Sequence, residues 1–440
     1  MDTGSVARDG DGQSGRRAEA PGSRYAVLVV GGGTAGITVA AALRRRQPDL
    51  AIAIVEPSAT HSYQPGWTLV GGGVFTLAQT QRPEASVIPE GVTWIKQEAT
   101  SFHPDENIVV LADGGRIGYQ MLVVCPGLQL DWDKVEGLRD ALGQDGVCSN
   151  YDARYVEYTW RCIQAFRGGT ALFTQPAMPI KCAGAPQKIL YLMADRMRIR
   201  RLAQCSIEFL LVGDAMFGVP FYVPPLQQAV ERYGIKVHYK HELKAVDGKA
   251  RTALFTATSP DGETREVARR FDMLHVTPPQ SAPEFIKRSP LAGAAGWVDV
   301  DPATLRHTKY ANVFSLGDAC SAPNSNTAAA VRMQAPVVTR NLLAALDGQE
   351  LTAAYDGYAS CPITVSLSKV VLAEFLYAGK VTASFPLDPS RPRRANWLLK
   401  TQLFPRLYWD IMLKGREFDI GHREPRLNKG RREPQPADAA

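Results

Sequence analysis

The sequence lacks three patterns that would assign it to common classes of protein. Its cysteines never occur in C-x-x-C spacing, which disfavours a structural zinc site, and their odd number disfavours a secreted disulfide scaffold. We therefore expect a reducing compartment and no metal. No window reaches the roughly 18 apolar residues that a membrane-spanning helix needs, so the chain is not expected to cross a bilayer. Residues 1–24 mix acids with bases and contain no apolar run, which predicts a disordered leader rather than a secretory or transit signal.

The positive charge of the chain is concentrated near one end. The formal net charge is +6, yet residues 391–432 alone contain 12 Lys or Arg and 4 Asp or Glu. Within this tail, residues 395–415 interleave apolar and aromatic residues with basic ones, and Pro405 is expected to divide them into two short helical pieces. This pattern predicts a membrane-surface segment through which a quinone could enter. The alternatives are a core-packed helix pair and, least favoured, a nucleic-acid contact.

Residues 25–56 form the most informative stretch of the chain. An apolar run at residues 25–30 leads into a G-x-G-x-x-G turn and a helix over residues 36–46, and the next strand ends in Glu56. The glycines allow a tight turn, close approach of a pyrophosphate and helix–strand packing, while the acid accepts hydrogen bonds from ribose hydroxyls. A glycine turn without a ligand is the weaker alternative. The turn residues expected at the dinucleotide are Gly31, Gly33, Thr34, Ala35 and Gly36.

A second segment, "NVFSLGDACSAPNSNTAAAV", complements the first. A strand over residues 312–316 runs into Gly317 and Asp318, and a helix begins near Thr327. Asp318 is suited to accept a ribityl hydroxyl, and the helix N-terminus is suited to face a flavin carbonyl. Together the two segments resemble the FAD domain of flavoproteins with two dinucleotide-binding domains. In "MLVVCPG" that resemblance adds Gly127 to the FAD contacts, while Cys125 is expected to be dispensable.

The middle of the chain repeats the strand–loop–helix pattern without a working glycine fingerprint. Here the loop reads Gly213-Asp-Ala-Met-Phe-Gly218, which places Asp214 where a pyrophosphate would lie. A carboxylate repels phosphate, so this second Rossmann-like unit is expected to serve packing and not to bind NADH.

The loop "PIKCAGAPQKIL" places Cys182 between Lys181 and Lys188. Nearby ammonium groups favour the thiolate, which is the reactive form of cysteine. Cys361, in "SCPITVS", lies far along the chain, and nothing in the residues themselves says that the two meet. The other cysteines have the settings of core or surface filler.

Several motifs together resemble the sulfide:quinone oxidoreductase family over residues 25 to about 415. These motifs are "HSYQPGWTLVGGG", "IKCAGAPQKI", "NVFSLGDA", "TAAAV", "SCPITVS" and "VLAEFLY". The resemblance implies FAD, hydrosulfide and quinone as cofactor and substrates, and a redox disulfide between Cys182 and Cys361. It also implies that the "YQP" loop, with Gln64 and Pro65, lies at the flavin. Basic and acidic groups beside the active site are implied at Lys188, Lys400 and Asp140, although solvated surface charge is the alternative for each.

In that family, hydrosulfide attacks the disulfide and leaves one persulfide and one thiolate. The resemblance suggests Cys361 as the thiolate nearer the flavin and Cys182 as the sulfane carrier, with the reverse order left open. Sulfite, a thiol or further sulfide then takes the sulfane sulfur. Lys188 or Lys400 would attract the anion, and Asp140 would transfer a proton.

The predicted fold is α/β, with two Rossmann-like domains and an amphipathic C-terminal region. The FAD domain is assigned to residues 25–130 and 290–350, the second domain to 131–289, and the C-terminal region to 351–440. A peripheral place on the cytoplasmic face of a bacterial inner membrane is preferred over a mitochondrial membrane, and no nucleic acid is expected. The competing functions are a type II NADH:quinone oxidoreductase, the flavin subunit of a flavocytochrome c sulfide dehydrogenase, and a flavin-binding redox sensor.

Overall fold

The structure, a computed structural model, describes residues 23–202, 204–323 and 326–417. Residues 1–22 of the predicted leader and the basic tail beyond residue 417 lie outside these ranges. The described chain folds around two parallel sheets with helices packed against them, so the predicted α/β class is confirmed. Among the described residues, no helix is both long and apolar enough to cross a membrane.

The strands are short and alternate with helices over most of the described chain. They are β1 (Arg24–Val30), β2 (Ile52–Val55), β3 (Thr60–Ser62), β4 (Gln81–Pro83), β5 (Thr93–Ile95), β6 (Ala99–His103), β7 (Ile108–Leu111), β8 (Arg116–Val124), β9 (Gln129–Leu130), β10 (Val147–Cys148), β11 (Gly169–Gln175), β12 (Cys205–Leu211), β13 (Lys236–His238), β14 (His241–Asp247), β15 (Thr252–Thr258), β16 (Thr264–Arg270), β17 (Met273–His275), β18 (Gln280–Ser281), β19 (Val313–Ser315), β20 (Ala359–Ser366) and β21 (Lys369–Phe375).

The helices include α-helices, π-helical turns and short 3₁₀ turns. The α-helices are α1 (Thr34–Arg46), α2 (Trp67–Gly71), α3 (Leu138–Ala141), α4 (Ala153–Ala165), α5 (Ala185–Ile199), α6 (Val223–Tyr233), α7 (Glu284–Lys287), α8 (Ala328–Leu346), α9 (Arg394–Leu398) and α10 (Phe404–Arg406). The π-helical turns are Leu399–Leu403 and Leu407–Ile411. The 3₁₀ turns are Gln64–Gly66, Ala78–Thr80, Glu84–Ser86, Trp132–Lys134, Pro220–Tyr222, Gly317–Ala319, Tyr377–Gly379 and Met412–Lys414.

The first sheet is built around β1 and has a parallel centre. β2 and then β5 pair on one side of β1, β8 pairs on the other, and β19 joins β8 in parallel. β7 and β6 continue the sheet as antiparallel strands. Residues 27–30 of β1 are almost completely buried, because the sheet is covered on both faces. Burial on both faces explains why the sequence of β1 is a continuous apolar run.

The second sheet has the order β10-β17-β11-β12-β13 and is parallel throughout. An antiparallel sheet of β14, β15 and β16 follows β13 along the chain. The predicted second Rossmann-like unit is thus present as a parallel sheet with α4, α5 and α6. The residue boundaries assigned to the domains stay a prediction.

After α8 the chain forms an antiparallel hairpin, β20–β21, whose first strand packs against α5. A helical stretch then runs from Arg394 to Lys414 without a break. The prediction that Pro405 divides this stretch is wrong. The π-helical turn just before α10 changes the hydrogen-bond spacing, so the proline is accommodated near the start of the next turn.

Candidate active site

A cavity of about 680 Å³ lies where the glycine turn, the start of α5, the β20–β21 hairpin and the C-terminal helical stretch meet. Most residues expected from the sequence to form the site line this cavity. They are Gly33, Thr34, Ala35, Glu56, Gln64, Pro65, Gly127, Cys182, Lys188, Gly317, Asp318, Thr327 and Lys400. Gly31 and Gly36 do not line the cavity, and Cys361 is buried beside Cys182.

The three fingerprint glycines have different structural roles. Gly31 has φ of +106°, and a Cβ added there would lie 2.5 Å from the carbonyl oxygen of Cys125. A Cβ on Gly36 would overlap the carbonyl oxygen of Gly31, so only glycine allows this helix–turn contact. Gly33 has no atom within 4 Å of its Cβ position and faces the cavity. It precedes α1, whose first turn has no side-chain cap, which leaves N–H groups free for a phosphate.

Glu56 lies at the end of β2, where the fingerprint requires an acid. Its carboxylate accepts the N–H of Gly32 at 2.8 Å and the N–H of Ser58 at 2.7 Å. Burial raises the pKa of Glu56, while these two hydrogen bonds oppose that rise. The open cradle at Gly33 and this held carboxylate fit the pyrophosphate and ribose of a dinucleotide.

The other end of the cofactor cradle is formed by the "GDA" turn and α8. The Asp318 carboxylate is 2.8 Å from the ammonium of Lys181. Thr327 caps α8 by accepting the N–H of Ala330 at 3.1 Å. Because the cap binds one N–H and the cavity reaches Ala328 and Ala329, the positive end of the helix dipole faces the space that a flavin would fill.

The structure brings Cys182 and Cys361 together. Their sulfur atoms are 3.3 Å apart, although the residues are separated by 179 positions. A disulfide requires about 2.05 Å, so a movement of little more than 1 Å joins them. Cys182 has φ of +51°, in the loop before α5, and Cys361 lies on β20. Gly184 permits the approach, since a Cβ there would lie 2.6 Å from the Cys361 sulfur.

Two buried lysines surround the cysteine pair. The ammonium of Lys188 lies 2.9 Å from the Cys182 sulfur. The hydrogen bond from Cys361, followed by the Lys188 charge, holds the pKa of Cys182 well below its ordinary value. Donating that hydrogen bond, together with burial, raises the pKa of Cys361. The contact with Lys188 thus favours the thiolate form at Cys182 over Cys361.

The pKa values of the two lysines shift in opposite directions. Burial alone would lower the pKa of Lys188, but the adjacent Cys182 and Cys361 raise it above its ordinary value. Burial and then repulsion from Lys188 lower the pKa of Lys400 to about 7. Both lysines are only 5% exposed, so the alternative of solvated surface charge is wrong for them.

Asp140 is not part of this arrangement. It is exposed on the short helix α3, and it is absent from the cavity lining. The helix α3 packs against β14, which belongs to the antiparallel sheet of β14, β15 and β16. The structure gives no support to its suggested role in proton transfer.

Sequence reasoning missed a buried polar chain at the glycine turn. Glu84 contacts His61, with Oε2 to Nδ1 at 3.3 Å, and His61 Nε2 lies 2.7 Å from the Tyr408 hydroxyl. That hydroxyl lies 2.9 Å from Thr34 Oγ1, at the first residue of α1. His61 lies in the "HSYQP" motif, but no local pattern marks Glu84 or Tyr408. The contacts of Tyr408 with His61 and Thr34 span 347 and 374 positions.

The far wall of the cavity is mainly apolar, with one buried acid. The carboxylate of Glu374 accepts the Tyr358 hydroxyl at 2.6 Å and the Ser384 N–H at 2.9 Å. The remaining surface of this wall is suited to an apolar ring system. Its apolar residues are Leu372, Phe385, Leu399, Leu403, Phe404, Leu407, Ile411 and Met412. Within the described residues, no group of three or more His, Cys, Asp or Glu is placed to hold a metal ion.

The chain is similar in sequence to a protein of known activity. No protein-family model matches it. "Sulfide:quinone oxidoreductase, mitochondrial" from Mus musculus is 43% identical over 394 residues, which cover 89% of this chain and 87% of that protein.

Two solved structures share the fold. One is a chain of the Tetrahymena thermophila mitochondrial ATP synthase, with a TM-score of 0.80 and 20% identity, covering 91% of this chain and 98% of that one. The other is the sulfide:quinone oxidoreductase of the hyperthermophilic bacterium Aquifex aeolicus, with a TM-score of 0.76 and 18% identity, covering 90% and 92%. At these identities the likeness shows the fold alone.

Proposed function

The chain belongs to the sulfide:quinone oxidoreductase family, which couples oxidation of sulfide to reduction of a quinone, and we propose that Cys182 and Cys361 perform the sulfur chemistry with FAD as cofactor. The observation that supports this most directly is the 3.3 Å separation of the two sulfur atoms beside a buried lysine. Nothing else in the described chain combines paired thiols, a cation and a dinucleotide cradle in one cavity.

The first step is attack of hydrosulfide on the Cys182–Cys361 disulfide. One S–S bond forms as the other breaks, and the displaced cysteine leaves with the electron pair as a thiolate. Because the Lys188 ammonium lies 2.9 Å from its sulfur and stabilises the thiolate, Cys182 is the better leaving group, and hydrosulfide is directed to Cys361. We therefore propose that Cys361 carries the persulfide and that the Cys182 thiolate faces the cavity, which reverses the order suggested by the sequence.

The cycle closes by transfer of the outer sulfur to sulfite, a thiol or sulfide, which leaves both cysteines reduced. Reforming the Cys182–Cys361 bond then releases two electrons. FAD, when bound, supplies a two-electron acceptor for the cysteines and a donor for the quinone. Lys188 stabilises the thiolate, and the cationic form of Lys400 adds attraction for hydrosulfide below pH about 7.

The residues that would hold FAD come from three parts of the chain. The glycine turn and α1 would bind the pyrophosphate, and Glu56 a ribose hydroxyl. Gly317, Asp318 and the N-terminus of α8 would lie at the ribityl and flavin portion. The remaining contacts would come from Gln64, Pro65 and Gly127, all of which line the cavity.

A coupled assay tests this function. We expect sulfide to bleach the flavin and to reduce a soluble quinone, whereas NADH should do neither. The loop 213–218 supports the second expectation, because Asp214 is exposed there and paired with Lys240 at 2.5 Å. Stopped-flow absorbance of the flavin with each donor provides the measurement. Rapid bleaching by NADH would favour the NADH:quinone oxidoreductase alternative, and sulfide oxidation without quinone loss would favour the flavocytochrome alternative.

We propose that the C-terminal helical stretch binds a membrane surface and admits the quinone. Leu398 is 60% exposed and Leu403 is 40% exposed, and Arg394 and Arg406 lie on the same helical stretch. Leu403 also lines the cavity, together with Leu399, Phe404 and Leu407. One segment thus has an outward apolar surface and an inward apolar passage. The named relative is mitochondrial, so the preference for a bacterial inner membrane loses its support, and only peripheral attachment is proposed.

Flotation with anionic liposomes tests this attachment. The wild-type protein is expected to float at low salt, and the double variant Leu398→Glu/Leu403→Glu to stay at the bottom, because it buries less apolar area and repels the anionic surface. Ile199→Glu is the matched control, since Ile199 is 58% exposed but lies at the end of α5. Equal flotation of wild type and double variant would refute the assignment of this surface.

A further inference from the structure

Glu84 presents a buried carboxylate oxygen to the glycine turn. The residue is 1% exposed and lines the cavity. Its Oε2 faces His61, but its Oε1 has no hydrogen-bond partner among the described residues. A Cβ built on Gly32 would lie 2.8 Å from that oxygen, so the oxygen lies directly against the turn. A buried acceptor left unpaired costs free energy, which indicates that a donor from outside the protein completes it.

The orientation of Glu84 is held by residues that also contact the first turn of α1. His61 is placed between the Glu84 carboxylate and the Tyr408 hydroxyl, and Tyr408 in turn contacts Thr34. A further ring, Trp409, packs edge-on to His61 at 5.8 Å between centroids. The unpaired oxygen is therefore fixed in place and is not the end of a mobile side chain.

A second carboxylate lies beside it. Glu56 already accepts one backbone N–H on each oxygen, from Gly32 and Ser58. Each carboxylate oxygen has two acceptor sites, so Glu56 can still take a donor from the cavity. Glu84 is close enough to raise the pKa of Glu56 further, after burial itself. Two neighbouring acids with spare acceptor sites, Glu84 buried and Glu56 partly buried, suit a ligand with two adjacent hydroxyl donors.

We propose that Glu84, together with Glu56, binds the vicinal hydroxyl groups of the adenosine ribose of the dinucleotide cofactor. This inference rests on the proposed use of FAD and adds a cofactor-binding residue outside the glycine fingerprint. Each carboxylate accepts a hydrogen bond from one of the two hydroxyl groups. Charge-assisted hydrogen bonds of this kind are stronger than neutral ones, so each hydroxyl contributes measurably to affinity.

The test compares FAD with its 2′-deoxyadenosine and 3′-deoxyadenosine analogues. Each ligand is titrated into apoprotein, and the dissociation constant is obtained from flavin fluorescence. For wild type, we expect loss of the hydroxyl bound by Glu84 to weaken binding roughly tenfold or more. In Glu84→Gln and Glu84→Ala, FAD itself should bind more weakly, and the ratio between FAD and that analogue should fall towards one.

The ratio of the dissociation constants of FAD and its deoxy analogue distinguishes a direct contact of Glu84 with the ligand from a purely structural role. A residue that only supports the fold would weaken FAD and both analogues alike, so an unchanged ratio in the two Glu84 variants overturns the proposal. Glu208→Gln is the matched control, because Glu208 also contacts a histidine, His238 at 2.9 Å, but lies on β12 outside the cavity. It should leave all three affinities unchanged. If wild-type apoprotein binds none of the three flavins, the proposed cofactor fails instead.

Discussion

Cys361→Ser and Cys182→Ser are each expected to reduce sulfide-dependent quinone reduction to the background rate, while FAD remains bound. Either change removes one half of the S–S bond that hydrosulfide must break, and a serine hydroxyl cannot replace it. Serine also preserves the volume of the site, so the dinucleotide cradle should be undisturbed. The measurement is quinone absorbance under sulfide, together with the flavin spectrum of the purified variant.

Cys205→Ser provides the control, since Cys205 begins β12 and does not line the cavity. It should retain wild-type turnover. The position of the added sulfur is tested separately in the wild-type protein. If the leaving-group order is right, mass spectrometry of wild-type protein treated with sulfide and then alkylated should find the extra sulfur on Cys361. Full turnover in both cysteine variants would refute the mechanism, and extra sulfur on Cys182 would refute the order.

Lys188→Met is expected to remove the thiolate character of Cys182 at neutral pH. The Lys188 ammonium helps to lower the pKa of Cys182, so without it that pKa rises and the thiolate appears only at higher pH. In dithiothreitol-reduced protein, alkylation of Cys182 by iodoacetamide at pH 7 should slow by at least about tenfold, because each pKa unit changes the thiolate fraction by that factor. The rate should recover as the pH is raised.

Mass analysis of the peptide that contains Cys182 follows this reaction without interference from other cysteines. Lys134→Met serves as the control, because Lys134 is an exposed lysine paired with Asp131. Its alkylation profile should match the wild type. An unchanged pH midpoint in Lys188→Met would show that the hydrogen bond from Cys361 alone sets the state of Cys182.

The cofactor half of the molecule was largely predictable from local patterns. The apolar run of β1, the glycines of the turn and Glu56 at the end of β2 are determined by short-range rules of packing and backbone geometry. The second sheet was predictable for the same reason, as a repeat of strand, loop and helix. Pro405 was misread because a proline rule for regular α-helices does not cover the π-helical turn before it.

The sulfur site was predictable only through the family resemblance. Nothing in the residues near Cys182 indicates that Cys361 lies 3.3 Å away, since the contact depends on how β20 packs against α5. The burial of Lys188 and Lys400 likewise follows from tertiary packing, and so does the exposure of Asp140. No sequence pattern indicated a role for Glu84, because that role depends on its contact with His61 and on the contact of His61 with Tyr408, much later in the chain.

The path of the C-terminal stretch has a consequence for biosynthesis. It runs along α1: Tyr408 contacts Thr34 at one end, and Glu417 pairs with Arg46 at the other. A ribosome must therefore add 374 residues after Thr34 before the pocket acquires its last wall. At about 5–20 residues per second, this takes roughly 20–75 seconds. During that interval the cavity lacks this wall, so a ligand can be fully enclosed only after nearly the whole chain has been translated.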